Sequence, residues 1–411
     1  MNMKRFQSPT GMTLSMMFIY LIQWGAQYIG YNYLPIYIDS LPFSTNSTTG
    51  LAIAVGAATT ICVQPIWGRM ADKGKTKNRV LLLALVLEGV TGLLFFTEIP
   101  NLWVLLLCIV LFYTPFLAPQ ALIDTIVVEN MDKVRVRYGM VRCFASGGAA
   151  LMAFIFGMIA DMTNLKAFTL FSAFSLAAVI PLLFLPKTQG HARTAGHKIS
   201  YRRLLKNRRY TLFLAYGFAL FLCSSMINAF FPIFVTTDKG LNAGTEWYGI
   251  FMGVTILLET SVMFFGAKLF AKLNAYAVFL LPPLAGIFRV LFLVFANVPS
   301  DLYFYPIFHA LWFGPLWAKV APFIQSVVPE EMRATGQSVW TIITCGIAPV
   351  IGSLGAGVLS DAFGMRQMFG VICAILIAMT LLFAVLFFRQ YRLDQREECV
   401  LAQEDGLPAA E

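Results

Sequence analysis

Charge is what this sequence has least of. Asp, Glu, Lys and Arg make up 12% of its 411 residues, while 58% are hydrophobic. A water-soluble chain with that ratio would expose large apolar patches and aggregate, so a soluble globular fold is excluded. Acid is scarcer than base, with 21 Asp and Glu against 30 Lys and Arg. Paired cysteines are missing as well. The seven cysteines, at 62, 108, 143, 223, 345, 373 and 399, form no CxxC and no metal-ligand spacing. They read as small apolar packing residues, and no metal or other cofactor is expected. No GxxxxGK[ST] loop occurs, which argues against ATP-driven work. No nucleophile–base pair can be assembled either, so the chain is not expected to be an enzyme.

What is present is long apolar runs. Mean hydropathy is +0.73, and crossing ~30 Å of hydrocarbon takes about 20 apolar residues in a helix. Twelve such stretches are predicted, at roughly 12–37, 47–70, 80–98, 102–128, 138–160, 166–186, 210–235, 247–271, 275–297, 302–327, 334–359 and 367–388. The first follows a short polar start without a small-residue cleavage site, so it is expected to be a membrane helix and not a removed signal. The expected fold is an all-α membrane protein of twelve transmembrane helices.

The positive charge lies on one side. Of the 30 basic residues, 24 fall in the termini and alternate loops of one face, among them Lys4, Arg5, Arg69 to Arg79, Lys133 to Arg137 and Lys187 to Arg209. The opposite loops hold Lys166, Lys239 and Arg366, and Arg142, Arg289 and Lys319 lie within helices. By the positive-inside rule the rich side is cytoplasmic, and twelve spans place both termini there. This predicts a multi-pass protein of the cell's inner (plasma) membrane, in contact with lipid and not with nucleic acid.

The chain repeats itself. Gly157-Met-Ile-Ala-Asp161 matches Gly357-Val-Leu-Ser-Asp361 at an offset of 200, and Lys166 aligns with Arg366 in the same phase. Tyr33-Leu-Pro-Ile-Tyr37 echoes Phe230-Phe-Pro-Ile-Phe234, and Tyr138-Gly139 echoes Thr335-Gly336. Repeats in order and nearly in phase imply a duplicated six-helix unit. The expected organisation is an N-terminal bundle over 1–186, a basic cytoplasmic linker over 187–209, a C-terminal bundle over 210–389 and a cytoplasmic tail over 390–411. The linker carries eight basic residues and no acid, which suits anionic lipid headgroups. Two such halves about an axis along the membrane normal place a substrate midway between them.

Between the second and third stretches the chain reads Gln64-Pro-Ile-Trp-Gly68-Arg-Met-Ala-Asp72-Lys73-Gly-Lys-Thr-Lys-Asn-Arg79. A glycine, an aspartate four positions on and a basic cluster resemble the loop motif of the major facilitator superfamily. In that reading Gly68 lets helices approach, and Asp72 accepts hydrogen bonds from a neighbouring helix N-terminus when this side is closed; Lys73 and Arg79 complete the gating motif. The second-half counterpart, Gly266-Ala-Lys268-Leu-Phe-Ala-Lys272, lacks the aspartate. Within the superfamily, Gln64-Pro65, Tyr138-Gly139-Met-Val-Arg142 and Phe308-His309-Ala310 with Phe313-Gly314 resemble the lactose permease and nucleoside–proton symporter branch. The resemblance covers nearly the whole chain and implies two pseudo-symmetric six-helix bundles that work by alternating access.

Ionisable groups inside a membrane are costly unless paired or solvated, so each is a functional candidate. Here they are Glu88, Asp124, Arg142, Glu259, Arg289, His309 and Lys319. Asp124 and Arg142 lie at similar depth on adjacent antiparallel helices. The resemblance implies a carboxylate–arginine pair that recognises substrate hydroxyls, and Arg supplies the planar donor fork for it; a structural salt bridge stays open beside that use. The branch stacks its sugar on a tryptophan where this chain has Ala149, so aromatic contact is expected from Trp24 or Tyr28. Glu259 and Arg289, near the middles of helices 8 and 9, suit a proton-coupling carboxylate held beside an arginine. Arg289 and His309 match the branch's proton machinery in position, but Trp312 and Pro306 stand where the branch keeps a carboxylate and a lysine. His309 is a substrate contact or a satisfied bundle histidine, and Asn228 is the polar residue that helix 7 offers. Glu88 receives no role, because helix 3 in this fold usually packs on the outside.

The expected function is proton-coupled symport of a small polar organic solute (a sugar, a nucleoside or a small aromatic acid) by a monomer. A proton-coupled drug antiporter is the alternative. Such antiporters usually carry Gly-Pro-Gly in helix 5, where this chain reads Ser146-Gly147-Gly148-Ala149. A non-transporting sensor would keep the fold but have no need of Glu259, Arg289 and His309.

Overall fold

The computed structural model describes residues 9–134, 136–159, 162–189, 204 and 206–404. Lys4, Arg5, Arg135, Asp161, most of the basic linker and the last seven residues lie outside them. Among the described residues twelve long helices follow one another: α1 (Pro9–Asp39), α2 (Asn46–Lys73), α3 (Lys77–Gly92, continued by a 3-10 turn Leu93–Phe96), α4 (Leu102–Phe116 and Ala118–Val128), α5 (Tyr138–Met158) and α6 (Asn164–Ala177 with Val179–Leu182). The second half has α7 (Arg208–Thr236), α8 (Gly244–Lys272), α9 (Ala275–Phe295), α10 (Tyr305–Val327), α11 (Arg333–Ile342, a π turn Ile343–Ile347, and Ala348–Phe363) and α12 (Met365–Glu404). Where the sequence predicts a tail from residue 390, α12 stays helical to Glu404.

Local chemistry sets the starts and breaks. The side chains of Thr45, Asn101, Thr163, Asn207 and Asn274 each accept a backbone N–H in the first turn of the helix that follows, which satisfies donors a helix start leaves orphaned. α4 is interrupted at Leu117, between Pro115 and Pro119, because proline supplies no N–H to the ladder. The π turn in α11 sits just before Pro349 for the same reason. Gly364, at φ +87°, turns the chain from α11 into α12, a backbone conformation that favours glycine.

Among the described residues, eleven of the twelve helices are long and apolar enough to cross a membrane. α1 is the exception by composition, since Gln23, Gln27 and a run of tyrosines dilute it; all of these except Tyr31 are buried inside the bundle. Large apolar side chains such as Leu107, Phe265 and Leu381 are exposed along the helices, as a lipid-facing surface requires.

Each half has its own core. Phe95, Phe112, Phe116, Phe168 and Phe171 interlock in the first, and Phe213, Phe279, Phe323 and Trp340 in the second. The halves meet where α5 packs on α8, α2 on α11 and α1 on α7. The contacts obey the repeat. A Cβ on Gly157 of α5 would stand 2.7 Å from the Glu246 carbonyl of α8, and one on Gly357 of α11 would stand 2.7 Å from the Asn46 carbonyl of α2. Asn46 and Glu246 are themselves 200 positions apart, so one contact is made twice.

These close approaches lie at one end of the molecule. At that end Asp361 accepts from the N–H of Asn46 and Ser47, and Lys239 donates to Asp39 at 2.6 Å. Somewhat deeper, the Tyr248 hydroxyl donates to Asn32 at 2.7 Å. At the other end, which carries the basic loops, a Cβ on Gly68 or Gly139 would meet nothing within 4 Å. The two bundles converge away from the basic loops and part towards them.

Candidate substrate and coupling site

In the first half the site begins with Asp124 on the second segment of α4. Its Oδ1 accepts from the Tyr20 hydroxyl at 2.5 Å and from the Tyr138 hydroxyl at 3.3 Å. Arg142 Nε lies 3.5 Å from the same oxygen. The guanidinium carbon is 4.6 Å from the centre of the Trp24 ring and 5.4 Å from that of Tyr20. Both charged side chains stay more than one-third exposed. This is an open site: a carboxylate and a guanidinium with donors and acceptors to spare, walled by aromatic faces.

The structure brings Asp124, Arg142 and Trp24, which the sequence singles out, together with Tyr20 and Tyr138, which it does not. The signal was there, since Tyr20 is one turn before Trp24 on α1 and Tyr138 one turn before Arg142 on α5, hence on the same faces. Tyr28 belongs elsewhere. It is 4% exposed and stands edge-on to Phe156, packed between helices and not presented to a solute.

The second half gathers its polar groups from α7, α8, α9 and α10. Glu259 Oε2 lies 3.1 Å from His309 Nε2. The expected neighbour of Glu259 was Arg289, yet the guanidinium takes neutral partners. Arg289 Nε donates to the Tyr305 hydroxyl at 2.6 Å, and Nη2 donates to Asn228 Oδ1 at 3.1 Å. Its carbon lies 4.9 Å from the Tyr305 ring and 5.7 Å from the Trp312 ring. Trp312, which replaces the resembling branch's carboxylate, thus holds the arginine by a π face. It does so at close quarters: a Cβ on Gly286 would come within 2.0 Å of the indole.

Three buried atoms in this cluster have no partner among the described residues, Arg289 Nη1, His309 Nδ1 and Trp312 Nε1. Asn228 is exposed beside them, and the Glu259 side chain is 23% exposed. A buried cation held only by neutral groups leaves hydrogen-bonding capacity unused.

The motif residues Gly68, Lys73 and Arg79 are exposed at the parted end, and Asp72 forms no hydrogen bond or ion pair among the described residues. α3 turns Leu83 and Val90 outward, as expected of helix 3, while the Glu88 carboxyl points inward to α1 and is fully buried.

Two six-helix bundles that meet at one end and hold polar clusters on their facing helices define a membrane transporter of the major facilitator type. Residues 13–371 match the MFS_1 like family, and the chain belongs to it. It is 22% identical over 348 residues to YwbF, an uncharacterized transporter of Bacillus subtilis (strain 168), covering 82% of this chain and 85% of that one. It is also 22% identical over 357 residues to the maltose permease of Geobacillus stearothermophilus, covering 85% and 88%. Among solved structures it shares the fold of the nucleoside transporter NupG, with a TM-score of 0.81 for a mutant form, 15% identity, and coverage of 92% of this chain and 100% of that one.

Proposed function

We propose that the protein is a proton-coupled symporter of a small polar organic solute, a sugar before a nucleoside or a small aromatic acid. The observation that carries this is the first-half site. A solute with hydroxyls on its rim and a flat face matches the Asp124–Arg142 pair backed by Trp24 and Tyr20, since Arg offers a fork of donors and an indole offers a stacking face. The names of two relatives, a maltose permease and a nucleoside transporter, agree with that solute class. Proton coupling falls to Glu259 with His309 3.1 Å away: a proton taken by this pair and a solute on Arg142 together bias the two bundles to exchange which end is closed. Asn228, Arg289 and the unpaired Arg289 Nη1 supply the second-half contacts to the solute.

The protein works as a monomer in the cell's inner (plasma) membrane with both termini cytoplasmic, organised as two bundles joined by the basic linker. The basic loops then face the cytoplasm, and the form described here is open inward. The test is uptake into proteoliposomes with an inward proton gradient, using maltose, uridine and an aromatic acid as radiolabelled probes. Accumulation that collapses with a protonophore supports the reading. Efflux of a lipophilic cation driven by the same gradient, with no uptake of the three probes, would replace it by drug antiport.

A further inference from the structure

Glu88 is fully buried, in the middle of α3, and none of the described residues offers it a cation. Its two oxygens are held by neutral amides: Gln23 Nε2 donates to Oε2 at 2.6 Å and Gln27 Nε2 to Oε1 at 2.7 Å. Gln27 also donates to the Phe116 carbonyl, at the break in α4, and accepts from Gln120 Nε2 at 3.0 Å. Other polar and titratable groups near this region are the phenols of Tyr31 on α1 and Tyr113 on α4, the Cys345 thiol of α11 that faces Tyr31, and the hydroxyl of Ser172 on α6 beside Gly92. An ionised carboxylate cannot persist in such a place without a counter-charge, whereas the neutral acid can. Gln23 Oε1 is buried without a partner, so a half-turn of that amide turns it into the acceptor of a Glu88 O–H.

The cluster also touches the solute site. Gln120 and Asp124 are one turn apart on α4, and Gln27 and Tyr20 two turns apart on α1. α1 and α4 are therefore bridged by Gln27–Gln120 and Gln27–Phe116 at one level and by Tyr20–Asp124 at another. We propose that Glu88 is a second, reversible proton-binding site, and that its protonation state positions Tyr20 against Asp124 through Gln27 and Gln120. Ionised Glu88 pulls on Gln27 Nε2, and so on the amide whose Oε1 accepts from Gln120, shifts α1 along α4 and loosens the Tyr20–Asp124 contact; neutral Glu88 restores it. Glu88 is a positioning residue, outside the solute's reach. Its link to the solute rests on the symporter reading given above, but its protonation does not.

The experiment is infrared difference spectroscopy of the purified full-length protein in detergent, titrated from acid to alkaline pH. The expected result is the C=O stretch of a protonated carboxylic acid that persists at neutral pH, disappears reversibly at alkaline pH and is absent from Glu88→Gln. A tyrosine C–O stretch must shift in step with it in the wild type and not in Tyr20→Phe, which a purely structural Glu88 would not produce. Should Glu88→Gln fail to fold, Gln23→Leu leaves the acid in place with one partner fewer and must move the same band to higher frequency. A band that survives Glu88→Gln, or none at neutral pH, overturns the site. A tyrosine signal that does not follow the carboxyl overturns the positioning role. Displacement of the band by sodium at fixed pH would make the ligand a metal cation and overturn the proton assignment. If the band behaves as expected while proton-driven uptake fails, only the symporter reading falls.

Discussion

The carboxylate of Asp361 sits on the N-terminus of α2, with Oδ2 accepting the Ser47 N–H at 2.7 Å; Oδ1 accepts that of Asn46 at 2.9 Å. A helix N-terminus presents orphan donors and a partial positive charge, so an aspartate from another helix completes it as a capping residue would. Here the donor and acceptor belong to opposite halves of the molecule. The sequence motif Gly68–Asp72 has the same form, a glycine and an aspartate four residues on, but stands at the end that is open. The device that is engaged is Gly357–Asp361. In an exchange of closed ends, the two would trade places.

Removing the engaged cap should weaken that end. Asp361→Ala is expected to cost about 1 kcal/mol of the closed contact, which shifts the opening equilibrium roughly fivefold. A cysteine at the buried interface position Ser353 (Ser353→Cys) reports it: maleimide labelling from the end remote from the basic loops should speed up in the Asp361→Ala background. Unchanged labelling would show that Asp361 does not hold the halves together.

Arg142→Lys should abolish uptake and leave the melting temperature unchanged. Lysine keeps the charge but not the planar fork or its fit on Trp24, and the site is open enough that stability does not depend on it. Trp24→Ala, which keeps the fork, should weaken solute binding by roughly fivefold, the worth of about 1 kcal/mol of stacking and cation–π contact. Normal uptake by Arg142→Lys would remove the pair from the solute site.

Glu259→Gln should separate coupling from binding. The variant is expected to lose uphill accumulation under a proton gradient and to retain solute exchange at equilibrium. His309→Gln, which keeps a hydrogen-bond partner for Glu259 but no titrating ring, should weaken accumulation less. Counterflow and gradient-driven uptake in the same proteoliposomes measure the two; gradient-driven accumulation equal to wild type in Glu259→Gln would rule the carboxylate out.

Gly286→Ala should destabilise the second half, because the added methyl falls on the indole of Trp312 and overpacking of this kind costs about 1–3 kcal/mol. A lower thermal midpoint in detergent is the readout. Trp312→Phe in the same chain should recover much of the loss, since the smaller ring vacates the space.

Hydropathy, charge and repetition determined the architecture by themselves, because each helix must satisfy its own backbone in lipid and therefore writes its length into local sequence. The 200-residue repeat alone marks Gly157 and Gly357 as equivalent. Candidate residues were legible for a related reason: a charge in a membrane helix is rare enough to stand out. Their partners were not. Glu259 and Arg289 look like a pair from their matching depth, yet rotation about each helix axis sends the carboxylate to His309 and the guanidinium to Tyr305 and Asn228. Rotation likewise turns Glu88 inward, onto Gln23 and Gln27, and buries Tyr28 while leaving Trp24 beside Arg142. Which end is closed is also a tertiary fact, since Gly68–Asp72 and Gly357–Asp361 carry the same local chemistry. Only the packing of the two bundles decides which aspartate finds a helix to cap.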